Sequence, residues 1–338
     1  MVQKMKFRKY AKVLWKIFTG KAKFCEFALT NICTCRCSFC SIWKTQPKII
    51  VDKERALRVI DHLDKLGLIF ITLTGGEPLL HPNFKEIAKR CSERGIVTSI
   101  LVADGRLITE ERAKALKEAD VDYIGISIDS HRPEDLEKAR GIKDLMHHLE
   151  VGVKRLNKAG VTTTASVVIS KFNHKTLREL FDKCKEIGFD QIVMNYPEFS
   201  ESKTYKLGGD AVALTNDEII EALYEIIKLK KEGYPIMNQV TAMKDIILYL
   251  KNKNTKYYCL GGSRVFFVDW YFDVYPCMHL PNSLGKIDEL TEKDFKKIKC
   301  NKCNMSWYRD FSMYFQGLKS FDIIAEGLKD APRILKLG

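Results

Sequence analysis

The sequence predicts an α/β protein built from six parallel βα units, followed by a small C-terminal domain held together by cysteines. Three observations carry this expectation. Apolar, β-branched runs alternate with stretches of helical period over the first 200 residues. Gly or Asp stands at the joints, and strand alternating with helix is the pattern of parallel sheets. Eight of the eleven cysteines fall in two groups of four, one near each end of the chain.

Taken in order, the chain begins with a basic amphipathic helix over residues 1–23. Strands follow at Phe24 to Leu29, Ile69 to Leu73, Ile96 to Val102, Tyr123 to Ile128, Thr162 to Ile169 and Gln191 to Asn195. Helices alternate with them near Glu54 to Leu66, Phe84 to Arg94, Glu110 to Ala119, Lys143 to Ala159 and Lys175 to Ile187. This unit runs over residues 24–215. A helical connection over 216–258 holds two more helices, Asn216 to Lys231 and Val240 to Lys251. Aromatic-rich strands from Ser263 to Tyr275 and a helix-like linker around Leu284 to Ile287 belong to a cysteine domain over 259–310. A helical tail occupies 311–338. No internal repeat and no low-complexity linker interrupts the series.

Composition narrows the function. The 338 residues are 46% hydrophobic and 29% charged, as in ordinary globular proteins. No apolar run approaches the ~18 residues of a membrane span, and lysines interrupt the one N-terminal stretch that could resemble a signal peptide. The net charge is +13, of which residues 1–24 carry +8 with no acid. Eleven cysteines in a chain without an export signal point to metal or redox chemistry in a reducing compartment. Cys25, Cys91 and Cys184 sit within strand or helix patterns and read as small core hydrophobes.

The loop after the first strand, Asn31 to Cys40, sets Cys33, Cys37 and Cys40 in CxxxCxxC spacing, with Cys35 as an extra thiol. Three thiolates on one short loop can hold three irons of a 4Fe-4S cluster and leave the fourth open. A structural zinc site wants four ligands, and Cys35 lies too close in sequence to complete a good tetrahedron. The motif resembles that of the radical S-adenosylmethionine (SAM) superfamily. The resemblance implies a partial (β/α)6 TIM-type barrel. It also implies a cluster that binds the SAM amino and carboxylate groups and reductively cleaves SAM to a 5′-deoxyadenosyl radical. Further residues match in order. Gly75, Gly76, Glu77 and Pro78 end the second strand like the family's GGEP turn, whose backbone and Glu meet the SAM amino group. Ser127 and Asp129 end the fourth strand, similar to a ribose-contacting strand. Arg140, with Gly141, resembles the Arg-Gly pair opening the next helix, whose guanidinium binds the SAM carboxylate. Phe39 is implied to pack near the adenine. In place of the Thr-Asn-Gly turn that often ends the third strand stands Ala103-Asp104-Gly105, where Asp104 can make a similar turn bond. The fifth strand supplies no polar glycine motif.

The second group, Cys259, Cys277, Cys300 and Cys303, resembles the shortened auxiliary-cluster extension called a twitch domain, related to the longer SPASM domain. It implies a second 4Fe-4S cluster, and a four-thiolate zinc ribbon fits the ligand count equally well. Phe272 stands where a Gly is usual, so a different ribbon turn is expected.

The substrate is less legible. The preferred reading is a lipid: hydrogen abstraction from an unactivated carbon of an isoprenoid membrane lipid, leading to carbon-carbon coupling. A SPASM/twitch peptide or protein maturase is the alternative, and RNA modification ranks third. The N-terminal basic helix is expected to attach the enzyme to the inner face of a membrane, otherwise in the cytoplasm. An electron donor such as ferredoxin or flavodoxin is an expected partner, and DNA is not. Abundant Lys, Glu and Ile suggest a thermophilic, archaeal source.

Overall fold

The computed structural model describes residues 2–197, 200–201, 206–298, 300 and 306–334. The chain runs α1 (Val2–Phe18), β1 (Lys23–Ala28), α2 (Lys53–Lys65), β2 (Leu68–Thr74), α3 (Phe84–Glu93), β3 (Val97–Val102), α4 (Glu110–Glu118) and β4 (Tyr123–Ser127). It continues through α5 (Pro133–Arg140), α6 (Leu145–Ala159), β5 (Thr163–Val168), α7 (Leu177–Ile187), β6 (Gln191–Asn195) and a short hairpin, β7 (Ser200–Glu201) and β8 (Lys206–Leu207). The last part holds α8 (Asn216–Lys231), α9 (Val240–Leu250), β9 (Val265–Val268), β10 (Asp273–Tyr275), β11 (Gly285–Lys286), α10 (Ser306–Ser312) and α11 (Phe321–Ile334).

Strands β1 to β6 pair in sequence order and all in parallel. Helices cover the outer face of the sheet, and three of them have chemically marked starts. Asp52 caps α2 by accepting from the Arg55 N–H, Thr109 caps α4, and Thr215 with Glu218 forms a capping box on α8. Side chains alternate across a strand, so Thr72, Ser99, Ser127 and Ser166 fall on the inner face. They line one cavity, and the sheet curls around it.

The strands of the C-terminal cysteine region extend the barrel's own sheet. β9 pairs in parallel with β1, and β10 and β11 follow antiparallel, giving one nine-stranded sheet in the order β11-β10-β9-β1-β2-β3-β4-β5-β6. The edge of β1 would otherwise present unpaired backbone. The helix-like linker at Leu284 to Ile287 is instead strand β11, because Gly285 pairs with Val274. Arg140 does not open a helix. It is the last residue of α5, and Gly141 is its left-handed cap at φ 67°. The ribbon turn places Phe272 at φ 65°, in the left-handed region that favours glycine. Asp269 holds that turn by accepting the Tyr271 and Asp273 N–H groups at 2.8 and 2.9 Å.

Helix α1 packs with Lys9, Lys12 and Lys16 turned toward the barrel. Lys9 pairs with Asp122, while Lys12 and Lys16 share Asp64 at 2.6 and 3.0 Å. Lys23, buried at the start of β1, pairs with Glu292 at 2.6 Å. The expectation of a basic face offered to anionic lipid is therefore reversed for these residues. Asp64 and Asp122 attract the ammonium groups, and Leu14, Trp15 and Phe18 are left 63, 66 and 87% exposed.

Candidate active site

The GGEP turn and the cysteine loop are joined through backbone. The Gly76 N–H donates to the Thr30 carbonyl at 2.7 Å and the Glu77 N–H to the Ile32 carbonyl at 2.8 Å. A Cβ on Gly75 or Gly76 would collide with those same two carbonyl oxygens, and Gly75 sits at φ 124°, so both positions require glycine. From the other side, Arg36 and Ser38 donate their N–H groups to the carbonyls of Arg140 and Ala139 at the end of α5. The β7–β8 hairpin closes the third side, with Gly208 donating to the Phe39 carbonyl and Ser41 to the Lys206 carbonyl. Three separate elements thus fix one ten-residue loop at the C-terminal ends of the strands.

On this loop Cys33, Cys37 and Cys40 line the barrel cavity, together with Cys35. Hydrogen bonding from Cys35, with the positive charge of Arg140, holds the Cys37 thiol down to about 6. The Cys35 thiol is pushed strongly up by its hydrogen bonds to Cys33 and Cys37, and burial pushes Cys40 up to about 12. Among the described residues no three His, Cys, Asp or Glu side chains converge on a single-ion site.

Arg140 is buried rather than a surface charge. Its Nε and Nη2 donate to Asp129 at 2.6 and 2.5 Å, its Nη1 approaches the Cys37 sulfur at 3.7 Å, and its guanidinium lies 5.0 Å from the Phe39 ring centre. Asp129 also accepts the Val168 N–H at 3.0 Å. Two guanidinium nitrogens are thus held by one oxygen of Asp129, which is not itself among the residues lining the cavity. Phe39, Gly75, Gly76, Ser127 and Arg140 do line it. Glu77 and Pro78 do not. Glu77 is fully buried and accepts the N–H groups of Ala103, Asp104 and Leu79. Burial raises its carboxyl to about 7 against those three donors. These bonds tie the second and third strand loops together. Asp104 makes its expected turn bond, accepting the Arg106 N–H at 3.0 Å.

The cavity has a volume of about 710 Å³ and extends from the thiols to the opposite end of the barrel. Its floor is aromatic. Phe24 stacks on Phe311 at 4.5 Å, and Phe70 lies 5.2 Å from Phe311 and 6.1 Å from Tyr123. Leu14 and Ile17 of α1 and Ile324 of α11 line the same space. Leu14 is mostly exposed, so the cavity reaches the surface there. Beyond β6, Tyr196, Gln239, Asp310 and Tyr314 form a polar side wall. No motif marks these four. Asp310 carries the one available signal, a carboxylate within the aromatic stretch Trp307 to Phe315.

In the C-terminal group, Cys259 is half-buried and accepts the Gly261 N–H at 3.3 Å, and the neighbouring Cys300 helps burial to raise its thiol. Cys277 is buried beside the β10 end. Cys303 lies outside the described residues.

Residues 27–184 match the radical SAM superfamily, and this stretch of the chain is a radical SAM domain. The protein is a radical SAM enzyme, with SAM and a 4Fe-4S cluster as its cofactors. Over 302 residues the chain is 27% identical to the AdoMet-dependent heme synthase of Methanosarcina barkeri, covering 83% of this chain and 82% of the relative. It is 26% identical over 241 residues to a PqqA peptide cyclase of Granulibacter bethesdensis, covering 69% of this chain and 61% of that one. In fold it resembles the crystal structure of Streptococcus suis SuiB bound to S-adenosylmethionine, with a TM-score of 0.64 at 16% identity over 92% of this chain and 72% of that chain. The donor set agrees with these cofactors: three thiols of one rigid loop face a cavity large enough for a nucleoside-sized ligand, with a guanidinium beside one sulfur.

Proposed function

We propose that the enzyme abstracts hydrogen from an unactivated carbon of a substrate whose large apolar body lies inside the barrel. Cys33, Cys37 and Cys40 would hold the cluster. The Gly75–Gly76 backbone, Ser127 and Phe39 would line the SAM site, and Arg140 would supply positive charge beside Cys37, oriented by Asp129. When bound, cluster and SAM supply a primary carbon radical through reductive cleavage of the sulfonium, with an external electron donor. The chain's own contribution is to hold the substrate's carbon near the thiol loop and to exclude water with the aromatic floor. In the C-terminal region, Cys259, Cys277, Cys300 and Cys303 would hold a second 4Fe-4S cluster, with zinc as the other candidate. The observation that carries the reading is the continuity of one mostly apolar cavity from the thiols to Phe70, Tyr123 and Phe311.

For the substrate's identity, similarity to a PqqA peptide cyclase supports a peptide with apolar side chains. This reading now stands ahead of the isoprenoid lipid. The lipid reading keeps one specific support, the opening of the cavity beside the exposed Leu14 and the partly exposed Ile324. Reconstituted enzyme with SAM and dithionite, given perdeuterated apolar peptides or perdeuterated isoprenoid lipid in detergent, separates the two. Deuterium in 5′-deoxyadenosine from only one class assigns the substrate. Deuterium from neither, with SAM cleavage intact, would contradict an apolar body in the barrel.

A further inference from the structure

The outer face of the thiol loop carries charges that the assignment above leaves unused. From Phe27 to Val51 the chain holds Arg36, Lys44 and Lys48 and no acid. All three are exposed, and their partners among the described residues are not carboxylates. They gather around Trp43 instead. The Lys44 ammonium lies 4.8 Å and the Arg36 guanidinium 6.0 Å from its ring centre, and Lys48 donates to its carbonyl at 2.7 Å. Trp43 itself lines the cavity with the cysteines. Cys33, Cys35 and Cys37 line that cavity while Arg36 and Ser38, interleaved with them, are exposed, so the loop is a cover one residue thick between the thiols and solvent.

The end of α5 extends the same face. Gly141 packs directly on Arg36, and Lys138 and Lys143 on either side of it are exposed. Against these five cations stand Glu137 and Asp144, and Glu137 already accepts the Asp144 N–H at 2.7 Å. By contrast, Lys12, Lys16, Lys183 and Lys286 each reach a carboxylate of a neighbouring segment. Like charges held together without partners repel one another, and they complement a negatively charged surface.

We infer that Arg36, Lys44 and Lys48, with Lys138 and Lys143 beside them, dock an acidic electron-carrier protein. Reductive cleavage of SAM consumes one electron. The reduced carrier is oxidised by that electron, and the S–C bond breaks to methionine and the 5′-deoxyadenosyl radical. The thin cover over the thiols gives the electron a direct entry, whereas the other opening of the cavity, beside Leu14, is apolar. The inference rests on the reading of Cys33, Cys37 and Cys40 as holding the SAM-binding cluster. It adds where the donor binds and the sign of its charge.

The test uses the anaerobically reconstituted full chain and flavodoxin, an acidic carrier. Binding is read by calorimetry with oxidised flavodoxin, and 5′-deoxyadenosine formation is measured with reduced flavodoxin or with dithionite. Wild type should bind flavodoxin with a Kd that rises at least about tenfold between roughly 50 and 300 mM NaCl. Lys44→Glu with Lys48→Glu should raise the Kd at low salt at least about tenfold and slow flavodoxin-driven cleavage, leaving dithionite-driven cleavage unchanged. Lys114→Glu with Lys158→Glu makes the same charge change at exposed positions of α4 and α6 and should raise the Kd less than about twofold. Equal weakening by the two double variants would trace binding to net charge and overturn the inference. No binding by wild type at low salt, or unaltered binding by the Lys44→Glu, Lys48→Glu variant, overturns it too. So does tighter binding of a polyuridine oligonucleotide than of flavodoxin, lost in that variant, which would give the face to nucleic acid. Dithionite-driven cleavage by wild type reports on the SAM-site reading alone, and its failure leaves every binding outcome readable.

Discussion

Arg140 and Asp129 make a buried ion pair at the edge of the site, with both side chains almost wholly enclosed. Burial disfavours the cation, yet Asp129 and the nearby thiols hold the Arg140 guanidinium well above its usual range. Removing one partner of such a pair leaves an uncompensated charge, worth about 3–5 kcal/mol. Arg140→Met is therefore expected to lower unfolding free energy by roughly that amount in urea denaturation, and Arg140→Met with Asp129→Leu to recover part of it. Equal losses in the single and double variants would show that the pair is not coupled. The sequence marked Arg140, Asp129 and Glu77 as site residues; Arg140 lines the cavity, while Asp129 is buried behind it and Glu77 is held by backbone amides. A motif fixes which residues surround a turn, whereas the direction of a carboxylate depends on which backbone amides lie within reach. Ala103 and Asp104, on the loop after the next strand, decide it for Glu77.

At the scale of elements, β6 and α8 lie at their expected bounds because turn residues and a capping box punctuate them. Helix α5 left no hydrophobic period in its charged sequence, and the two residues of β11 are a strand only through tertiary pairing. Helix α1 was legible as an amphipathic helix, but not in its orientation, because the deciding carboxylates belong to α2 and the start of β4. The pairing makes a prediction. Asp64→Ala releases Lys12 and Lys16 together, which at roughly 1 kcal/mol or less per partly exposed pair should loosen α1 without unfolding the barrel. Limited trypsin digestion near Lys21 should quicken several-fold while the iron content stays constant. Unchanged digestion would mean that Ile17 and Val13, packed on the core, hold the helix by themselves.

For the whole molecule, the nine-stranded sheet brings the two cysteine groups into one framework, since β9 lies directly beside β1, the strand that leads into the first loop. The barrel, its parallel order and the thiol loop could be read from strand period and cysteine spacing. The cavity's polar side wall could not, because Tyr196, Gln239 and Asp310 come from three distant segments. On the reading proposed above, Cys33, Cys37 and Cys40 hold the SAM-binding cluster and the second cysteine group holds its metal independently. The direct measurement is metal content and 5′-deoxyadenosine formation by anaerobically reconstituted wild type and by the variant with all three residues changed to Ala. Wild type should carry about eight irons, two cubanes of about four each, or about four irons and one zinc if the C-terminal group is a zinc ribbon. The variant should lose about four irons, keep the C-terminal metal and form no 5′-deoxyadenosine. Formation of 5′-deoxyadenosine by the variant at the wild-type rate would contradict the claim.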